Sequence, residues 1–349
     1  MTAPFKIGTR AIGPSEPPFI LAEISGNHNG SLDRALELVD AAAAAGADGV
    51  KLQTYTADTI TIDYDGPGFV LEDGLWKGRR LYELYQEAHT PWEWHQALFD
   101  RAKKAGITIF SSPFDPTAVD FLNGLGAPAF KIASFEIVDL PLIKKAASTG
   151  KPLVISTGIA SLTEIGEAVS AAQSAGEGGV MLLHCVSGYP TPTADANLAT
   201  MADLEKRFGA PVGLSDHTLG TAVPVAAVAR GACLIEKHLT LRRADGGPDA
   251  EFSLEPDELA RLVRDCRDAW AAVGRVNYER EASEEPVAHL RRSLYVVNDI
   301  PAGGVLSHDN IRSIRPGYGL APKYLDNVLG RRAKHALKRG TPLAMKDLQ

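Results

Sequence analysis

Two histidines in this 349-residue chain stand in matching settings, His217 in GLSDHT and His238 in IEKHLT, each closing a short apolar run. If those runs are neighbouring strands, the imidazoles converge at one end of the sheet. A pair of neutral ring nitrogens, completed by oxygen ligands or water, suits a divalent ion such as Mn, Co or Zn. Two hydrogen-bonded histidines without a metal are the alternative. His184 lies inside the apolar run VMLLHCV and reads instead as a core histidine with its own hydrogen-bond partner.

Lys51 in GVKLQTY and Lys131 in AFKIASF also interrupt apolar runs, where an ammonium group is costly unless an anion accompanies it. Glu23 and Glu136 are natural partners, and so is an anionic ligand. With Ser134 and Ser156 on adjacent strands, the two lysines suit a small molecule carrying both a phosphate and a carboxylate. A Schiff base on Lys131 and a purely structural Lys–Glu pair are the competing readings.

The elements that must position these residues follow a regular plan. From residue 19, runs rich in Val, Ile, Leu and Phe alternate with longer amphipathic stretches, the pattern of repeated βα units. Eight runs read as strands: 19–25, 49–55, 107–113, 129–135, 152–158, 180–186, 211–217 and 233–239. Eight parallel strands can close and leave no edge, which favours a (β/α)8 barrel over an open doubly wound sheet. Polar residues gather at the carboxyl ends of these runs, among them Glu23, Lys51, Ser111 and Ser112, Lys131, Ser156, Tyr189 beyond the sixth, and Glu236 beside His238. In a barrel of this type that face carries the active site.

Three intervening stretches, SLDRALELVDAAAAAG, PWEWHQALFDRAKKAG and SLTEIGEAVSAAQSAG, read as helices closed by a glycine in the left-handed conformation, and a last barrel helix starts near Pro256. Residues 56–90, with Trp76 and several tyrosines, form an insertion on the active-site face that is expected to shape the substrate pocket; a decorative loop is the plainer reading. The barrel is expected over residues 1–274. Residues 275–290 lose helical period and read as a linker, and 291–349 form a small domain of short strands around the turn IPAGG.

Charge divides along the same line. Residues 291–349 hold 11 Lys and Arg against 4 Asp and Glu, a net of +7, leaving −14 on the preceding 290 of a chain whose total is −7. That acidic total argues against a general nucleic-acid binder. No run approaches the roughly 20 apolar residues needed to cross a bilayer, and the N-terminus lacks a secretory pattern. Cys185, Cys233 and Cys266 are too few and too dispersed for a disulfide framework, so they read as buried thiols of a cytoplasmic protein.

Taken together, GNHNGSLDRALELVDAAAAAGADGVKLQTY, LHCVSGYPTP, GLSDHTLG and IEKHLT resemble the sialic acid synthase family over essentially the whole chain. The segment DIPAGGVLSHDNIRSIRPGYGL with GRRAKHALKRGTPLAMKDL is similar to the antifreeze-like (SAF) domain that follows the barrel in that family. Within the family, GLWKGRRLYELYQEAHTPWEWH, SSPFD and KIASFE look most like the branch that makes pseudaminic acid. Ser187 and Gly188 stand where sialic-branch sequences often place Asn before YPTP, a departure that points the same way.

The resemblance implies condensation of phosphoenolpyruvate with an amino-sugar aldehyde, releasing phosphate. It implies a divalent metal on His217 and His238, Mn2+ in the first place with Co2+ or Mg2+ as alternatives. Glu23, Glu136 and Asp249 match the family's acidic active-site residues, with Glu136 chosen for proton handling. Lys51, Ser111, Lys131, Ser134, Ser156 and Tyr189 are expected to bind substrate, and Arg315 in IRPG matches an arginine that reaches the partner's site in a domain-swapped homodimer. A catalytically silent binding protein and a Schiff-base aldolase using Lys131 are the readings from other classes.

Overall fold

The computed structural model describes residues 5–349, which fall into two compact units dividing between Gly274 and Arg275. The first begins with a hairpin, β1 (Lys6–Ile7) and β2 (Arg10–Ala11), turned at Gly8 with φ of +60°. Eight parallel strands follow: β3 (Phe19–Glu23), β4 (Gly49–Thr54), β5 (Thr108–Pro113), β6 (Phe130–Ile132), β7 (Leu153–Ser156), β8 (Val180–Cys185), β9 (Val212–Asp216) and β10 (Leu234–His238). Each pairs with the next, and β10 returns to β3, so the barrel closes as the eight apolar runs predict.

Period-two alternation divides each strand between two environments. Facing inward, Phe19, Leu21, Phe110, Val154, Met181, Leu183 and Leu234 fill the barrel, and Phe5, Ile7 and Ile12 of the hairpin segment pack onto that plug. Facing outward, Ile20, Val50, Ile109, Phe130, Ile155, Leu182, Leu214 and Ile235 meet the apolar stripes of the helices. With the floor filled by apolar side chains, the inward positions left for polar groups are those at the carboxyl ends of the strands.

The helices start on side-chain caps. Ser161 and Glu164 form a capping box at the head of Leu162–Ala175, and Asp115 accepts from Thr117 and Ala118 before Pro116–Gly124. The expected glycine stops are of two kinds. Gly106 caps His95–Ala105 at φ +76°, and Gly46, at φ +84°, lies one residue beyond the Ala45 cap. Gly176 is different: its backbone is extended, φ −164°, and glycine is required because a Cβ there would lie 1.9 Å from the Ala147 carbonyl oxygen. The last barrel helix runs Pro256–Val273.

The insertion carries two short helices, Ala57–Ile60 and Leu81–Ala88, joined by an irregular segment with an isolated bridge between Val70 and Arg80. Residues 275–290 are not devoid of regular structure: Ala282–Leu290 is a 3-10 run, begun by a capping box between Glu281 and Glu284. The second unit then pairs β11 (Ser293–Val296) with β12 (Ile311–Ile314) antiparallel around its own core of Leu294, Val296, Ile300, Leu306 and Leu343. No helix of the described residues is long and apolar enough to cross a membrane.

Candidate active site

Glu23 ends β3 and Lys51 lies within β4, directly opposite it in register. Their side chains form an ion pair from which water is excluded, Glu23 being 0 % and Lys51 3 % exposed. Lys51 also donates to Ser112 Oγ at 3.2 Å. Lys131 of β6 donates to Ser156 Oγ of β7 at 2.7 Å. Between the two lysines stands Glu236 of β10, one oxygen 3.7 Å from Lys51 Nζ and the other 3.7 Å from Lys131 Nζ. Ser215 donates to the same carboxylate at 3.3 Å.

Burial and charge pull these groups in opposite directions. For Glu23 burial dominates, and despite Lys51 it lifts the carboxyl from 4.5 to about 7. Burial also acts against the charged form of Glu236, but Lys131 and Lys51 together outweigh it and hold that carboxyl below its ordinary value. Lys51 is held above the usual lysine value because Glu23 and Glu236 overcome the burial that would lower it. Lys131, 3.7 Å from Glu236 and more weakly influenced by Glu23, is lowered by burial. Two buried cations therefore face two carboxyls whose pKa values are displaced in opposite directions.

A second group lies above β9 and β10. The rings of His217 and His238 are 5.4 Å apart between centroids. His217 Nδ1 donates to the Val186 carbonyl at 3.1 Å, so that in the neutral ring Nε2 carries the lone pair; burial acts to lower the pKa of the ring, but Cys185 and that carbonyl raise it. His238 Nδ1 is 3.2 Å from Ser25 Oγ and 4.0 Å from Asp249 Oδ2. Burial keeps the His238 imidazole far below its ordinary pKa, and it lifts the Asp249 carboxyl above its own. Both rings thus have one nitrogen engaged and the other free, the arrangement of ligands to a divalent cation. Among the described residues no three His, Cys, Asp or Glu side chains gather closely enough to hold an ion, so water or substrate oxygens would complete the sphere.

Aromatic groups wall this pair. Tyr189, in the loop after β8, lies 4.6 Å from the His217 ring, and Phe252 lies 4.8 Å from that of His238. Trp76 of the insertion packs against Tyr189 at 5.3 Å and donates to the Pro248 carbonyl at 2.7 Å, next to Asp249. Ser134 Oγ accepts from the Gly158 amide at 3.2 Å, and a Cβ on Gly158 would lie 2.3 Å from Ser187 Oγ, so a side chain there would displace the serine hydroxyls. Glu136 sits in the turn Ser134–Glu136 after β6, where one carboxylate oxygen is buried without a hydrogen-bond partner. Burial lifts its pKa to about 7, and the charges of Lys131 and Lys51 act on it in the opposite sense.

Not every expected residue joins these groups. Ser111 points the other way: its hydroxyl lies 2.6 Å from Thr54 Oγ1, which in turn meets His95 Nε2 at 2.7 Å, between sheet and helices. The inward serine of β5 is Ser112, because inward positions alternate and Phe110 already faces the barrel. His184 also faces outward, against the Ala196 carbonyl at 2.7 Å. Arg315 is exposed in the second unit, directly after β12. Glu236, which the sequence places among the strand-end polar residues without a role, is the carboxylate between the two lysines; its place two residues before His238 puts both on the inner face of β10.

A closed parallel barrel with cations, carboxylates and paired imidazoles at the carboxyl ends of its strands defines a (β/α)8-barrel enzyme. The chain belongs to the NeuB family, which residues 38–278 match, and residues 291–349 match the SAF domain. It is 43 % identical over 338 residues to the pseudaminic acid synthase of Helicobacter pylori, covering 96 % of this chain and 98 % of that one. With the pseudaminic acid synthase of Campylobacter jejuni it shares 41 % identity, over 95 % of this chain and 96 % of the other. Among solved structures it is similar to the N-acetylneuraminic acid synthetase of Leptospira borgpetersenii in complex with citrate, with a TM-score of 0.72 and 35 % identity over 82 % of this chain and 95 % of that one.

Proposed function

We propose that this enzyme is a pseudaminic acid synthase, which condenses phosphoenolpyruvate with 2,4-diacetamido-2,4,6-trideoxy-L-altropyranose and water to give pseudaminic acid and phosphate. The observation that carries this reading is the near full-length similarity to the Helicobacter pylori synthase, at 43 % identity. The site is chemically suited to it. Lys51 and Lys131, with Ser112, Ser134 and Ser156, offer charge-assisted donors and hydroxyls to a ligand with a phosphate and a carboxylate.

His217 and His238 would hold a divalent ion, Mn2+ in our reading with Co2+ or Mg2+ as alternatives, which when bound supplies Lewis-acid polarisation of an aldehyde oxygen. Asp249, beside His238, orients the open-chain sugar, and Tyr189 walls it. The methylene carbon of phosphoenolpyruvate forms a bond to the aldehyde carbon, leaving positive character on the central enol carbon. Glu136 takes a proton from the water that captures this carbon; the C–O bond to phosphate then breaks, and Glu23 manages the proton at the new hydroxyl. A carboxyl poised near neutrality suits both tasks.

The homodimer belongs to this reading. Phe135, Val138, Ile159 and Leu219, in the loops beyond the strand ends, are each more than half exposed, an apolar rim suited to cover by a second chain. The basic C-terminal unit of that chain, carrying Arg315, has the complementary charge. Three free buried cysteines accord with a cytoplasmic enzyme.

The test is to supply phosphoenolpyruvate with each sugar separately to the Mn2+-supplemented protein and follow phosphate and product mass. Release with the diacetamido-altrose sugar and not with N-acetylmannosamine or the legionaminic precursor is expected. Release with N-acetylmannosamine alone moves the enzyme to the neuraminic branch, to which the Leptospira structure is the nearer guide.

A further inference from the structure

The layer between barrel and helices is built almost wholly of Ile, Leu, Val and Ala, yet between β9 and β10 it contains an ion pair. Lys237 is 0 % exposed, Asp216 3 % exposed, and the two are register partners. Lys237 Nζ donates to Asp216 Oδ2 at 2.5 Å and also to the Thr218 carbonyl. Asp216 in turn accepts from the Thr218 amide at 3.1 Å and from its hydroxyl at 3.0 Å. Residues 216 and 218 flank His217, and residue 237 precedes His238.

We propose that Lys237 and Asp216 are positioning residues for the histidine pair, fixing the separation and tilt of the two imidazoles from behind the sheet. The inference rests on the reading that His217 and His238 hold a divalent ion. An ion pair in an apolar layer stabilises a fold no better than apolar side chains of similar size, so stability alone does not account for it. What it adds is direction. The bonds to Thr218 fold the chain tightly around His217, whose carbonyl is further held by the Thr191 amide at 3.0 Å. The same ammonium ties that turn to β10, where the His238 carbonyl accepts from the Leu254 amide at 2.8 Å. One buried contact thus links the backbones that carry both rings, while Glu236 and His238 face the barrel interior on either side of it. Outer partners of this kind tune metal affinity without touching the metal.

The test measures Mn2+ binding directly, from the electron paramagnetic resonance signal of the free aquo ion, on full-length protein without substrate. In the double variant Asp216→Asn with Lys237→Met no charge is left unpaired. Its Mn2+ dissociation constant is expected to rise about ten- to hundredfold with far-ultraviolet circular dichroism unchanged. Lys237→Arg, which keeps the cation, is expected to stay within about threefold of wild type, as rescue by a retained charge requires. Should the double variant not fold, Thr218→Val, which removes only the hydroxyl bond to Asp216, is expected to weaken Mn2+ binding about threefold on the same assay. A folded double variant that binds Mn2+ as tightly as wild type overturns the proposal, as does an unaltered Thr218→Val. If wild type and His217→Ala bind Mn2+ alike, the metal reading itself fails and the proposal falls with it.

Discussion

Glu23 and Glu236 share one ammonium group, that of Lys51, yet burial leaves Glu23 with a pKa of about 7 while Glu236 is held below its ordinary value. The difference has a geometric cause. Glu236 lies 3.7 Å from both Lys51 and Lys131, whereas Glu23 makes its ion pair with Lys51, is raised by the charge of Glu236 and is acted on less by Lys131. The barrel therefore keeps one carboxylate as a fixed counterion and one as a group able to exchange its proton near neutral pH.

Replacing Glu236 by Gln leaves Lys51 and Lys131 short of a counterion. Breaking a buried pair in this way costs about 3–5 kcal/mol. The melting temperature is expected to fall, and inorganic phosphate is expected to raise it more in Glu236→Gln than in wild type, because an added anion then replaces the missing carboxylate. Equal phosphate shifts in a thermal melt would show that the lysines do not form one anion site.

Ser111 and Ser112 should separate cleanly. Ser112 accepts from Lys51, and losing a hydrogen bond to a charged group costs about 1.5–3 kcal/mol, so Ser112→Ala is expected to raise the KM for phosphoenolpyruvate roughly tenfold or more. Ser111→Ala instead removes the hydrogen bond to Thr54 Oγ1, leaving Thr54 bonded to His95 alone. Its KM should stay within about twofold of wild type while its Tm falls, by about 1–3 kcal/mol of stability. The reverse pattern in steady-state kinetics would reassign the inward face of β5.

Glu136 predicts a pH dependence of known sign. Its folded-state pKa, raised by burial from 4.5 to about 7, means that between those values the native protein holds a proton the unfolded chain has lost. Its contribution to stability is full below 4.5 and declines as pH rises through about 7. Between about pH 5 and pH 8 the wild-type melting temperature should fall more than that of Glu136→Gln. As the base toward water Glu136 must be ionised, so kcat should climb through about pH 7, and Glu136→Gln should lower it by about 10²- to 10⁴-fold. A variant with full kcat and an unchanged profile removes Glu136 from the chemistry.

Gly176→Ala tests packing rather than chemistry. The added methyl would meet the Ala147 carbonyl at 1.9 Å, and backbone displacement of this kind costs about 1–3 kcal/mol. A lower Tm with unchanged KM is expected; an unchanged Tm would mean that the two segments separate freely.

Much of this was legible in the residues themselves. Eight apolar runs separated by amphipathic stretches leave a closed barrel as the economical solution, since any open arrangement exposes edges. Lysines and glutamates inside such runs can persist only if they meet one another or a ligand, so the sequence by itself determined that a charged cluster occupies the strand ends and that two histidines crown adjacent strands. It could not determine phase. Whether Ser111 or Ser112 faces inward depends on the register of β5 against its neighbours, because a one-residue shift turns every side chain to the other face. Only the closed barrel brought Glu236 within 3.7 Å of two lysines from other strands, turned Lys237 away from them to Asp216, and carried Trp76 across to Tyr189. These are contacts between residues far apart in the chain, set by strand order and tilt, and no local pattern encodes them.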